Sequence, residues 1–132
     1  MAFWLFKQEP SEYSFDDLDR DGETLWDGVA NPLAQQHLHA VGTGDKVFFY
    51  HTGEERAIIG VIRVIGDPVP SEENPKHVVV TVGPVKKYRT PITLEAIKAN
   101  PAFAEWELVK NSRLSVMPVT TEIWKLIDKM GK

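Results

Sequence analysis

The sequence predicts an α+β fold: a curved or closed, mostly antiparallel β-barrel-like sheet flanked by short helices. Three observations lead there. Residues 46–51 and 57–65 are β-rich runs joined by a loop around Gly53, the pattern of a hairpin. Strands and helices then alternate irregularly, without the strand–helix–strand repeat of a parallel sheet. The helical stretches are brief, and most open on a capping residue.

Taken in order, residues 2–6 are uninterrupted apolar residues before Lys7 and read as a buried strand over 2–7. Ser14 with Asp17 three residues on has the spacing of a capping box and opens a short helix closed by Gly22. Asn31 before Pro32 starts a second helix to about Val41, because proline suits the first helical position. Gly44-Asp45 turns the chain into the hairpin. Gly66, Pro68 and Pro70, with Glu72 and Glu73, form an exposed loop. Residues 77–85 make a third strand, which continues extended to Ile92 past a kink near Pro84. Thr93 caps a short helix, Asn100-Pro101 interrupts it, and residues 103–109 hold another helical turn. A strand over 114–119 and a last helix capped by Thr120 or Thr121 complete the chain.

At 132 residues, residues 1–132 read as one domain with enough chain for a core of its own. Apolar residues make up 42% and charged residues 26%, an ordinary globular balance. With no cysteine there is no disulfide framework, thiolate nucleophile or thiolate zinc site. No apolar stretch is long enough for a membrane span, and residues 1–10 lack the basic leader of a signal peptide, so the cytoplasm is the expected compartment. The net charge of −4 argues against tight duplex binding. It is unevenly spread: residues 1–55 hold 3 Lys/Arg against 11 Asp/Glu, and residues 56–132 hold 12 against 8.

Asp17, Asp19, Asp21 and Gly22 match the start of an EF-hand loop, but Gly28 stands where the bidentate Glu belongs. His37 and His39 are two apart on a helix and point in different directions. No metal site or cofactor is expected. Catalytic signatures are absent too: there is no Gly-x-Ser-x-Gly elbow, P-loop or dinucleotide fingerprint. More informative are Trp26-Asp27-Gly28-Val29, directly before the Asn31-Pro32 helix start, and Phe49-Tyr50-His51-Thr52 at a strand end. Each sets a flat aromatic face beside hydrogen-bonding groups.

Those segments, with the opening Trp4-Leu-Phe-Lys-Gln-Glu-Pro10, the Gly44-Asp-Lys-Val-Phe-Phe-Tyr-His-Thr52 run and Arg113-Leu-Ser-Val-Met-Pro-Val-Thr120, resemble the EVE domain family of the PUA-like group. The blocks stand in the family's order over residues 4 to about 124. The resemblance implies a PUA-like barrel that binds a modified nucleobase without catalysis, modified cytosine in DNA being the usual suggestion. A flipped base must be stacked on an aromatic face and read at its polar edge. The implied pocket is Trp26 as the stacking wall, Tyr50 or Trp4 as a second wall, and Asn31, Ser115 and the backbone near Gly28 at the edge. Lys7, His51 and Arg113 are the sugar–phosphate candidates. The chain departs from the family's usual pattern at Ala30 and over residues 32–36: Ala30 and Gln35 stand in place of cations and Pro32 in place of an aromatic, so phosphate contacts should be few.

Two other readings use the same pocket. One is an RNA-binding PUA-type module acting with an RNA-processing partner. The other is an enzyme acting on a nucleoside-like small molecule, with His51 as base and Ser115 or Glu9 as its partner.

Overall fold

A computed structural model describes all residues, 1–132. The elements are β1 (Phe3–Gln8), α1 (Phe15–Asp21), β2 (Thr24–Trp26), α2 (Pro32–His39), β3 (Lys46–His51), β4 (Ala57–Val64), β5 (Val69–Pro70), β6 (Val78–Thr93), α3 (Leu94–Lys98), α4 (Glu107–Lys110), β7 (Val116–Val119) and α5 (Thr121–Gly131). Pro101–Phe103 forms a single 3₁₀ turn. No helix is long and apolar enough to cross a membrane.

The caps read from sequence hold the helices. Ser14 and Asp17 complete a reciprocal capping box on α1, and Asn31, Thr93 and Thr120 accept from the backbones of Ala34, Ala96 and Ile123. Beyond shifts of a single residue, strands β7, β6 and β2 differ from expectation. The last strand begins at Val116, because Leu114 closes a turn by donating its N–H to the Asn111 carbonyl. The expected kink near Pro84 does not end β6, which runs 16 residues. There Val61 pairs with Lys86 and Ile62 with Pro84, leaving Val85 as the extra residue of a bulge that absorbs the proline. The three-residue β2 has no period to show in sequence; it exists because Trp26 pairs with Val80 on β6.

The strand order is β2-β6-β4-β3-β1-β7, with β5 added on β6. Only β1 and β3 are parallel; every other pair is antiparallel. Four strand spacings separate β2 from β1, roughly 19 Å in a flat sheet. Yet the rings of Trp26 on β2 and Phe6 on β1 lie 5.3 Å apart. The sheet is therefore curled into a half-barrel that closes over its mouth by side-chain contact. Curling brings strands close at Gly60, where an added Cβ would fall 2.4 Å from the Lys86 carbonyl and 2.7 Å from the Phe15 ring.

Inside the curl, Phe6, Phe49, Trp26 and Phe15 pack edge-on and tilted. On the outer face Trp124 of α5 stacks on Phe48 at 3.8 Å and on Phe3 at 4.5 Å. At the start of β1 and β3 the buried Asp45 carboxylate accepts from the Ala2 N–H, the Gly42 N–H and the Trp4 indole, each at 2.9 Å. Burial pushes that carboxyl upward, but the donors outweigh it and hold it below the usual carboxylate range. One edge of the sheet is β7. Lys7 donates its N–H to the Ser115 carbonyl, so by alternation Pro118 sits where an amide would face outward, and its missing N–H costs the sheet nothing.

Candidate functional site

The two faces of the β1–β3 pair carry different groups. Registered neighbours share a face, and side chains alternate along a strand. Trp4, Phe6 and Gln8 face inward with Val47, Phe49 and His51. Phe3, Leu5 and Lys7 face outward with Lys46, Phe48 and Tyr50. The inner face leads to a cleft of about 370 Å³ at the strand ends, beside the seam where β2 meets β1. Gln8, Glu12 and Tyr13 line one side, and residues 24–27 the other.

Each wall has a local cause. Tyr13 stands just before the α1 cap, and its phenol donates to Asp21 at 2.8 Å; its pKa is pushed up by burial and by that carboxylate. His51 fixes the start of α1, its Nε2 accepting the Phe15 N–H at 3.1 Å while Nδ1 meets Glu55 at 3.1 Å. Since Nε2 accepts, the proton lies on Nδ1. Trp26 reaches the cleft by its margin alone: it is 4% exposed, with its ring against Phe6 and Phe49. Leu25, next to it on the opposite side of the strand, is 50% exposed.

The residues singled out in the sequence do not all meet. Trp26 lines this cleft, and His51 supports it from beneath through α1. Gly28 holds a left-handed φ of 74° in the link to α2 and lines two adjoining grooves instead. The Asn31 side chain is occupied as the α2 cap. Trp4 is buried, its indole tied to Asp45. Tyr50, 2% exposed, and Ser115 lie on the outward face with Lys7, so the expected convergence of Trp26, Asn31, Tyr50, His51 and Ser115 on one cleft is corrected by strand alternation. Lys7 crosses the Tyr50 ring at 5.5 Å and donates to the Ser112 carbonyl; burial lowers its pKa and raises that of Tyr50. Arg113 is exposed beside that carbonyl's residue. The Glu9 carboxylate accepts from the Thr52 hydroxyl at 3.3 Å.

Gln8, Glu12, Tyr13, Thr24 and Asp27 line this cleft without having been among the residues expected there. Asp27 carried a signal, since it sits inside the Trp26–Val29 block; Gln8 directly follows Lys7 in the opening block. Gln35, where the sequence suggested a lost cation, is a buried amide: Nε2 donates to the Val29 and Val78 carbonyls, and Oε1 accepts the Val78 N–H. It staples the loop after Trp26 to β6. Of the basic residues in the second part of the chain, Lys86, Lys87 and Lys110 are paired with Asp128, Asp16 and Glu105.

A curled, mostly antiparallel half-barrel with short helices and a polar, aromatic-edged cleft at its mouth defines a PUA-like binding module. The chain belongs to the EVE domain family, whose model matches residues 2–130. It is similar to a Rhodopseudomonas palustris protein solved by NMR, at 42% identity and a TM-score of 0.95 over 99% of this chain and 93% of that one. It is also similar to the human THYN1 protein solved in complex with 5-methylcytosine-containing DNA, at 26% identity and a TM-score of 0.92 over 100% of this chain and 98% of that one. Rat thymocyte nuclear protein 1 is 29% identical across 95% of this chain and 71% of its own length. A Zymomonas mobilis ASCH protein shares the fold alone, with a TM-score of 0.61 at 11% identity.

Proposed function

We propose that this protein binds a modified nucleobase, in nucleic acid or as a nucleoside, in the cleft between residues 8–13 and 24–27, and does so without catalysis. The observation that carries the reading is the coincidence of that cleft with family membership and with a 26% identical relative solved on 5-methylcytosine-containing DNA. About 370 Å³ suits one base, with Tyr13 as the aromatic wall and Gln8, Thr24 and Asp27 at its polar edge. Binding rather than turnover is supported by His51: both its ring nitrogens are engaged, one by the α1 backbone and one by Glu55, so the expected base has no free lone pair to use.

Titration of DNA and RNA single strands carrying cytosine or 5-methylcytosine, at low and high salt, tests the reading. We expect the modified strand to bind more tightly, and Tyr13→Ala to cost about 1–3 kcal/mol, the range for base–aromatic stacking. That corresponds to roughly ten- to hundredfold weaker affinity. Equal affinity for modified and unmodified strands of both polymers, unchanged by Tyr13→Ala, would overturn it.

A further inference from the structure

The walls of this cleft carry a charge pattern that narrows the ligand. Exposed Glu12 lines one side and exposed Asp27 the other. The adjoining groove shares Leu25 and Asp27 and adds Glu72 and Glu73. No lysine, arginine or histidine lines either. The nearby cations point elsewhere: Arg20 is held by Asp17 and Asp21, and Lys7 lies on the outer face against the Ser112 carbonyl.

Carboxylates accept hydrogen bonds and donate none, so they favour a base edge rich in N–H groups and disfavour phosphate. Tyr13 adds an aromatic ring to the cleft wall, and a ring face attracts a cation through its quadrupole. A planar ring bearing both a positive charge and an amino group satisfies all of these at once. A neutral base methylated on carbon satisfies only the aromatic and hydrogen-bonding parts.

Resting on the base-binding reading above, we propose that the cleft selects a nucleobase made cationic by methylation of a ring nitrogen over a neutral base methylated on carbon. Attraction between unit charges a few ångströms apart at a wetted surface amounts to about a tenfold preference. Because these carboxylates are exposed, salt weakens the preference.

Calorimetric titration of the full chain with 3-methylcytidine and with 5-methylcytidine decides it, since the two differ in charge but not in methyl count. The expected result is about tenfold tighter binding of 3-methylcytidine at low salt. That ratio should shrink at high salt and fall to near one in the E12Q/D27N double variant, whose thermal melting confirms that it is folded. Equal or tighter binding of 5-methylcytidine overturns the proposal and leaves base binding standing. So does a 3-methyl preference untouched by E12Q/D27N, or binding of a 5-methylcytosine strand with no binding of either nucleoside. If neither nucleosides nor strands bind, both readings fall together.

Discussion

The two ends of the β1–β3 pair contrast sharply in how they use carboxylates. At the start of the strands, Asp45 is buried and surrounded by the Ala2 and Gly42 amides and the Trp4 indole. Six residues along, past Gln8 and His51, Glu12 and Asp27 stand exposed at the cleft. The same short ladder thus has one end closed by its acid and the other left open with acids to offer. The contrast separates a charge that holds the fold from charges available to a ligand, and mutations at each end should behave accordingly.

The largest effect should come from Asp45→Ala. It leaves a buried indole N–H and two amides without acceptors, and we expect a loss of about 3 kcal/mol in denaturant unfolding. Next comes acid. The folded Asp45 carboxyl lies below its unfolded value of about 3.9, so its contribution is complete above that value and is lost as pH falls through the folded one. Comparing wild type with Asp45→Asn across that range should show the stability gap closing as the solution is acidified; a gap that persisted below the folded value would contradict this role. Smaller again is His51→Ala at the open end. The Phe15 N–H loses its acceptor, and a cost of roughly 1–2 kcal/mol is expected, with α1 fraying ahead of the sheet in amide exchange. If His51→Ala cost as much as Asp45→Ala, the open end would be as tightly built as the closed one.

Much of the frame was legible because its signals are local. Ser14, Asn31, Thr93 and Thr120 act as caps through bonds to residues three positions away, and sequence shows such spacings directly. The site was less legible because its geometry depends on register. Lys7 and Tyr50 look like neighbours of the Trp26 pocket in the text of the chain, but alternation sends them through the sheet to the opposite face. Trp26 itself has the residue type of a stacking wall. Nothing short of the curl, which sets it against Phe6 and Phe49, reveals that most of its surface belongs to the core. Gln35 is the reverse case: a polar residue on a helix whose role becomes visible only when Val29 and Val78 are brought to its amide.

The proline on the edge strand β7 bears on how the protein behaves when crowded. A foreign strand seeking to extend a sheet needs a run of outward amide donors and carbonyls. Along Val116–Val119 the positions that face away from β1 are Val116 and Pro118, and only the first has an N–H to give. A template with a single donor cannot hold a cross-β register, so this side of the sheet is poor ground for edge-to-edge growth into fibrils.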